Sequence, residues 1–159
     1  MYDAPAPALR IDAETPADAA AIDRLVMAAF GPGRFAKTAE RLRERAMIAA
    51  GFVARQDASV LGSVRLWLIT VGGTRALFLG PVAVAADARR GGLGADLVQA
   101  CLDFADEAGL GVLLVGDVPY FGRFGFETAP DVTLPGPVDR QRVLWRGPSP
   151  ALGAVIGAR

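Results

Sequence analysis

The sequence predicts an α+β fold, a mixed and mostly antiparallel sheet of six or seven strands flanked by helices. Three observations point there. Strand-like runs over residues 52–55, 60–70 and 76–84 are joined by turns near Asp57 and at Gly72-Gly73, which describes antiparallel hairpins. A glycine-rich turn over residues 91–94 then opens a stretch whose apolar residues recur at helical spacing. A wholly apolar run over residues 112–115 follows, so residues 76–115 read as one strand–helix–strand unit.

Taken in order, residues 1–8 carry two prolines and read as a loose lead-in, and residues 9–12 as a short first strand. Thr15, Pro16 and Asp18 form a capping box with proline at the first helical position. Ile22, Leu25, Val26 and Ala29 give that helix one apolar face, and Gly31-Pro32-Gly33 ends it. A second helix is expected over residues 37–50, with Glu40 and Glu44 as surface charges. In the strand over 60–70, Val64, Leu66 and Leu68 point one way and Arg65, Trp67 and Ile69 the other. Pro81 cannot donate to a sheet ladder, which predicts an irregularity within the strand over 76–84. In the long helix, Leu93, Leu97, Cys101, Phe104 and Ala108 form the apolar stripe, widened by Val98 and Leu102, and Gly109 stops it. A proline-rich connection over 130–137 leads to a last strand over 142–145. Residues 148–159 read as an apolar tail, loose like the lead-in.

Composition narrows the function. A chain of 159 residues suits a single domain over residues 1–159. Apolar residues make up 52% and charged residues 21%, so a core forms and disorder is disfavoured. Seventeen cations balance seventeen anions, which argues against a nucleic-acid partner. No apolar run approaches the length of a membrane span and no signal peptide is evident, so the expectation is a soluble cytoplasmic protein without a membrane partner. Cys101 is the sole cysteine, on the predicted buried face of the long helix, and excludes an internal disulfide or a cysteine metal cluster. Histidine is absent, which removes Ser-His, Cys-His and His-metal chemistry.

The residues that carry chemistry lie between 80 and 126. A glycine turn at a helix N-terminus leaves backbone N–H groups free where the helix dipole is positive, a setting that favours phosphate. The pattern Arg-x-x-Gly-x-Gly over residues 89–94 resembles the acyl-CoA pyrophosphate loop of the GCN5-related N-acetyltransferases. The preceding Leu79-Gly80-Pro81-Val82-Ala83-Val84 resembles the strand before that loop, and Tyr120-Phe121-Gly122-Arg123-Phe124-Gly125-Phe126 the closing signature of a subgroup of small bacterial predicted acetyltransferases. Order and spacing agree over these three features, and weaker similarity runs from about residue 9 to residue 145.

The resemblance implies acetyl-CoA as co-substrate, an amine as acceptor, no metal, and a homodimer as in many relatives. The pyrophosphate is expected on the amides of Arg90, Gly91, Gly92, Leu93, Gly94 and Ala95, with a charge-assisted bond from Arg89 or Arg90. Because 16 of the 17 cations are arginine, an arginine at any one polar site is weak support for a role. Pantetheine is expected along Val82, Ala83 and Val84, where a strand N–H polarises the thioester carbonyl. The acceptor would lie against the first two helices and the loop over 31–35. The family's leaving thiolate is often protonated by a tyrosine four residues before the glycine of Gly-Phe. That count lands on Phe121, which has no proton to give and is expected to line the cofactor, so the adjacent Tyr120 becomes the candidate acid. Asp117 follows the strand over 112–115 and has two readings, as a base for the amine and as a cap for the next short helix. Beside transfer to a primary amine stand a non-catalytic acyl-CoA sensor and a different nucleotide-binding domain on the same glycine loop. The latter lacks the Lys-Ser/Thr that usually follows the glycines.

Overall fold

The computed structural model describes residues 9–31 and 37–159, the side chains of Arg89 and Arg90 excepted. The lead-in and most of the 31–35 loop therefore lie outside the described residues. Its strands are β1 (Leu9–Ala13), β2 (Ile48–Gln56), β3 (Ser59–Val71), β4 (Thr74–Leu79), β5 (Ala83–Val84), β6 (Val112–Val115), β7 (Glu127–Thr128), β8 (Val132–Thr133), β9 (Val143–Arg146) and β10 (Gly153–Gly157). The helices are α1 (Ala19–Phe30), α2 (Thr38–Glu44), α3 (Leu93–Ala108) and the short α4 (Val118–Phe121). Among the described residues the sheet has ten strands: seven follow the path β1-β2-β3-β4-β6-β9-β7, and the short β5, β8 and β10, beyond the six or seven expected, join it off that path. The β4–β6 and β8–β10 pairs are parallel and all others antiparallel, so β4, α3 and β6 form the expected crossover unit.

Burial follows the alternation of β3. Val64 and Leu66 face α3, which lays Leu93, Leu97, Val98, Cys101, Leu102 and Ala105 on the sheet. Each of the larger aliphatic side chains among them contributes roughly 1.5–3 kcal/mol by leaving water. Ala105 rather than Ala108 completes the stripe, because Ala108 falls in the last, exposed turn. Gly109 ends α3 at φ +69°, and the Leu110 N–H closes the turn on the Ala105 carbonyl. On the opposite face, Ile22 and Val26 of α1 pack on Val53 and Ala83, while Leu42 of α2 packs with Ile69, Val71 and Phe78.

Two expectations are corrected by long-range pairing. The helix expected over 37–50 ends at Glu44, and Ile48, Ala49 and Ala50 belong to β2, with Ile48 opposite Trp67. Met47 already donates its N–H to the Ala158 carbonyl and accepts from the Leu68 N–H, so sheet partners take the backbone groups a helix would use. The tail expected to be loose over 148–159 instead contributes β10, which pairs Val155 with Val71 beyond the end of β2 and buries the Val155 side chain.

The capping box forms, and it anchors a larger network. The Thr15 N–H donates to Asp18 Oδ2 at 2.9 Å, and Arg55 clasps the buried Asp18 carboxylate with two bonds of 2.9 Å. The Arg55 hydrogen bonds, then the Thr15 N–H, hold the Asp18 carboxyl well below its ordinary range. A lowered folded pKa contributes stability that is present above the unfolded value of about 4 and is lost as pH falls toward the folded one. Asp18→Asn is therefore expected to melt below the wild type at pH 7, with the difference shrinking once pH drops beneath about 4. A difference that stayed constant across a thermal-melt series from pH 7 to pH 2 would contradict this.

Candidate active site

The site begins where one strand breaks. Leu66 of β3 faces Leu79, and Ser63 faces Ala83, so three residue steps on β3 oppose four between β4 and β5. One extra residue is thus accommodated around Gly80, Pro81 and Val82, the irregularity expected from Pro81. Gly80 sits at φ +135°, a conformation that favours glycine, and its N–H still donates to the Arg65 carbonyl. Its carbonyl accepts from Trp67 Nε1 at 2.7 Å. Trp67 is in turn flanked by the Arg65 guanidinium, which Glu14 holds through bonds of 2.8 and 3.0 Å. The Trp67 indole N–H thus fixes the break.

Past this point the sheet parts. β6 pairs with β4 only at Val112 and Leu113, while Leu114 and Val115 pair with β9 alone. The gap is a cleft of about 520 Å³, with Leu79, Gly80, Pro81 and Val82 on one lip and Leu114, Val115, Gly116 and Asp117 on the other. On β5 the Ala85 N–H bonds the Leu61 carbonyl, which carries the pairing with β3 one residue past Val84, while Val82 lies on the lip of the cleft.

The glycine turn stands at the end of the same strand. Residues 86–91 form a 3-10 turn, Gly92 follows in the left-handed region at φ +72°, and α3 starts at Leu93. The turn expected over Arg89, Arg90, Gly91, Gly92, Leu93, Gly94 and Ala95 thus opens α3, although the two arginine side chains lie outside the described residues.

Tyr120 and Phe121 meet edge-on with ring centroids 4.8 Å apart, yet they pack on different neighbours. The Phe121 ring fills the space a Cβ at Gly116 would take and meets Phe126 edge-on at 5.9 Å, so it is part core and part cleft wall. The Tyr120 hydroxyl instead stands 3.5 Å from where a Cβ of Gly94 would be, with a Val84 methyl 4.0 Å from the same point. The structure therefore brings Tyr120, Val84 and the first turn of α3 together. Arg123 stacks on the Tyr120 ring at 4.3 Å, which holds the ring from behind.

Asp117 occupies the N-cap position of α4, but its backbone carbonyl, not its carboxylate, receives the Tyr120 and Phe121 N–H groups. The carboxylate, 72% exposed, bonds Arg142 Nε at 3.2 Å. Glu40, expected as a surface charge, lines the cleft instead: its side chain is 12% exposed and is held by Arg43 at 3.2 Å. Arg43 lies against Gly80 and over the Phe78 ring. No local pattern marks this inward turn of α2, which depends on Leu42 packing into the core. Burial raises the Cys101 thiol pKa, consistent with an inert residue. Among the described residues no group of three metal-ligating side chains gathers, and no helix is long and apolar enough to cross a membrane.

The Acetyltransferase (GNAT) family model matches residues 19–126, two thirds of the sequence, spanning the parted strands and the glycine turn. The chain belongs to the GNAT family. It is an N-acetyltransferase, and the nucleotide-binding alternative falls away. The uncharacterized N-acetyltransferase YhbS of Escherichia coli K12 is 37% identical over 123 residues, 75% of this chain and 74% of that protein. The crystal structure of Escherichia coli YhbS in complex with CoA superposes with a TM-score of 0.82 at 30% identity, covering 99% of this chain and 94% of the other. A GNAT family acetyltransferase from Brucella melitensis in complex with acetyl-CoA gives 0.73 at 26% identity, over 95% and 96% of the two chains. The GNAT frame accounts for the parted β4 and β6: a parted sheet leaves main-chain hydrogen-bonding groups for an extended ligand to take up.

Proposed function

We propose that this GNAT chain moves an acetyl group from acetyl-CoA to a primary amine by direct attack. The observation that carries the proposal is the continuity of the broken strand with the glycine turn, which offers one path for an extended thioester ending in a diphosphate. The N–H groups of residues 90–95 would hold the diphosphate, and Gly91, Gly92 and Gly94 allow close approach. The strand Val82, Ala83 and Val84 would hold pantetheine, and a strand N–H aimed at the thioester carbonyl would stabilise the charge that develops on its oxygen. Coenzyme A and acetyl-CoA in the Escherichia coli and Brucella melitensis structures support this assignment.

The acceptor amine, with a pKa of roughly 10, must first shed a proton. Without histidine, that proton passes to water at the cleft mouth, where Asp117 is the carboxylate open to solvent and Glu40 the one set deeper. The amine nitrogen then attacks the carbonyl carbon, the C–S bond breaks, Tyr120 donates its hydroxyl proton to the departing sulfur, and the proton shed by the new amide nitrogen returns through water to the Tyr120 oxygen. Tyr120 takes this role because it brings a hydroxyl across the cleft to Val84 and α3, whereas Phe121 has none.

Incubation with acetyl-CoA and a panel of primary amines, read as thiol release and as acetylated product by mass, tests the proposal. Acetyl-CoA that binds without transfer to any amine would contradict it. Tyr120→Phe is expected to lower kcat by about 10- to 100-fold with acetyl-CoA affinity within twofold. That loss reaches only the low end of general acid catalysis, because a thiolate of pKa about 8.5 leaves with little help. An unchanged kcat would remove Tyr120 from the mechanism.

A further inference from the structure

The charges lining the cleft favour one kind of acceptor. Among the described residues these are Glu40 and Asp117 against Lys37, Arg43 and Arg142. Both carboxylates already hold an arginine, Glu40 with Arg43 and Asp117 with Arg142. Lys37, which lines the cleft as well, is the only lysine in the chain. A diamine or polyamine would therefore bring its second ammonium into a site with more cations than anions and no carboxylate in excess.

Arg142 is built to receive an anion. Its backbone is fixed where β9 begins, with its carbonyl accepting the Gly116 N–H at 2.8 Å and Val143 paired to Val115. Among the described residues the bond to Asp117 is made by its Nε, so Asp117 orients the guanidinium and leaves the two terminal nitrogens as a planar fork. The side chain is 48% exposed and lines the cleft. The sheet order puts β9 on the far side of β6 from β4, across the cleft from the strand and turn assigned to the thioester and its diphosphate. An anion at Arg142 thus belongs to the acceptor.

We infer that the acceptor is a small primary amine that also carries an oxyanion group, a carboxylate or a phosphate, which Arg142 grips. The inference rests on the acyl-transfer proposal. The cleft of about 520 Å³ must also hold the acyl end of the donor, which keeps the acceptor small.

The test uses the full chain with saturating acetyl-CoA and acceptors of matched length: an aminoalkyl carboxylate, an aminoalkyl phosphate, a plain alkylamine, a diamine and a polyamine. The expected kcat/KM for at least one oxyanion-bearing amine exceeds that of the alkylamine and the polyamines tenfold or more. The two oxyanion arms tell carboxylate from phosphate. Arg142→Gln is expected to raise KM for the favoured acceptor at least tenfold, with kcat within threefold and coenzyme A affinity by calorimetry within twofold. Arg142→Lys should recover part of the loss, since it restores charge but not the fork. Preference for a polyamine or a plain alkylamine would overturn the inference while leaving acyl transfer intact. The same KM rise for every amine would also overturn it, as would a melting-temperature drop in Arg142→Gln that accounts for the whole effect. Bound acetyl-CoA with no amine acetylated would overturn both proposals together.

Discussion

Replacing Gly94 with glutamate is expected to weaken coenzyme A binding at least 100-fold while leaving the fold intact. Gly94 lies in the first turn of α3, beside the Tyr120 hydroxyl and Val84. A carboxylate there is no burden to the helix, because negative charge near a helix N-terminus is favourable. The same position is where a diphosphate would draw on that dipole, so the introduced carboxylate competes with the ligand for it and repels it. A 100-fold loss corresponds to about 3 kcal/mol, within reach of one buried like-charge contact. Gly94→Ala separates charge from bulk: its Cβ would make ordinary contact with Tyr120, so a loss of under about tenfold is expected. Calorimetry with coenzyme A, alongside thermal melts of the free proteins, reads both effects. Affinity within threefold of wild type in Gly94→Glu would contradict the placement of the diphosphate.

Phe78→Ala is expected to cost about 3–5 kcal/mol of stability, enough to leave a domain of ordinary stability only marginally folded. The Phe78 ring is completely buried, on β4 between Trp67 of β3 and Leu113 of β6, immediately before the strands part. It also supports the Arg43 guanidinium, 5.4 Å above the ring, and through Arg43 the Glu40 carboxylate. Urea unfolding measures the stability loss. In whatever fraction stays folded, acceptor KM should rise more than coenzyme A affinity falls, because the ring underlies the acceptor wall and not the glycine turn. Phe78→Leu should keep most of the packing and cost about 1–2 kcal/mol. A loss below about 1 kcal/mol in Phe78→Ala would mean that the cavity collapses without consequence.

What could be read from the sequence was what local chemistry decides. Gly72, Gly73, Gly92 and Gly109 all adopt positive φ, and each marked its turn or helix end. The spacing from Leu93 to Leu102 gave α3 its buried face, and Pro81 announced the break in the strand because it lacks an N–H. Features set by distant partners were not readable. Ile48, Ala49 and Ala50 looked helical until β3 paired with them, and β10 exists because Val71 lies opposite Val155, far along the chain. Glu40 looked like any charge on a surface helix, and only the docking of Leu42 turns it toward the cleft. Likewise Trp67 gave no sign that its indole N–H would hold the Gly80 carbonyl. The Tyr120–Phe121 pair lay between these cases. One helical step gave the two rings different neighbours although they touch edge-on, and which of them reaches α3 depended on Gly116 leaving room for Phe121.

The most direct measurement is a crystal structure of the protein with coenzyme A bound. The account predicts diphosphate density on the backbone amides that lead into α3, pantetheine extended along Val82 to Val84, and the sulfur closer to the Tyr120 hydroxyl than to any other acidic proton. Diphosphate density elsewhere in the molecule, with those amides left to solvent, would contradict it.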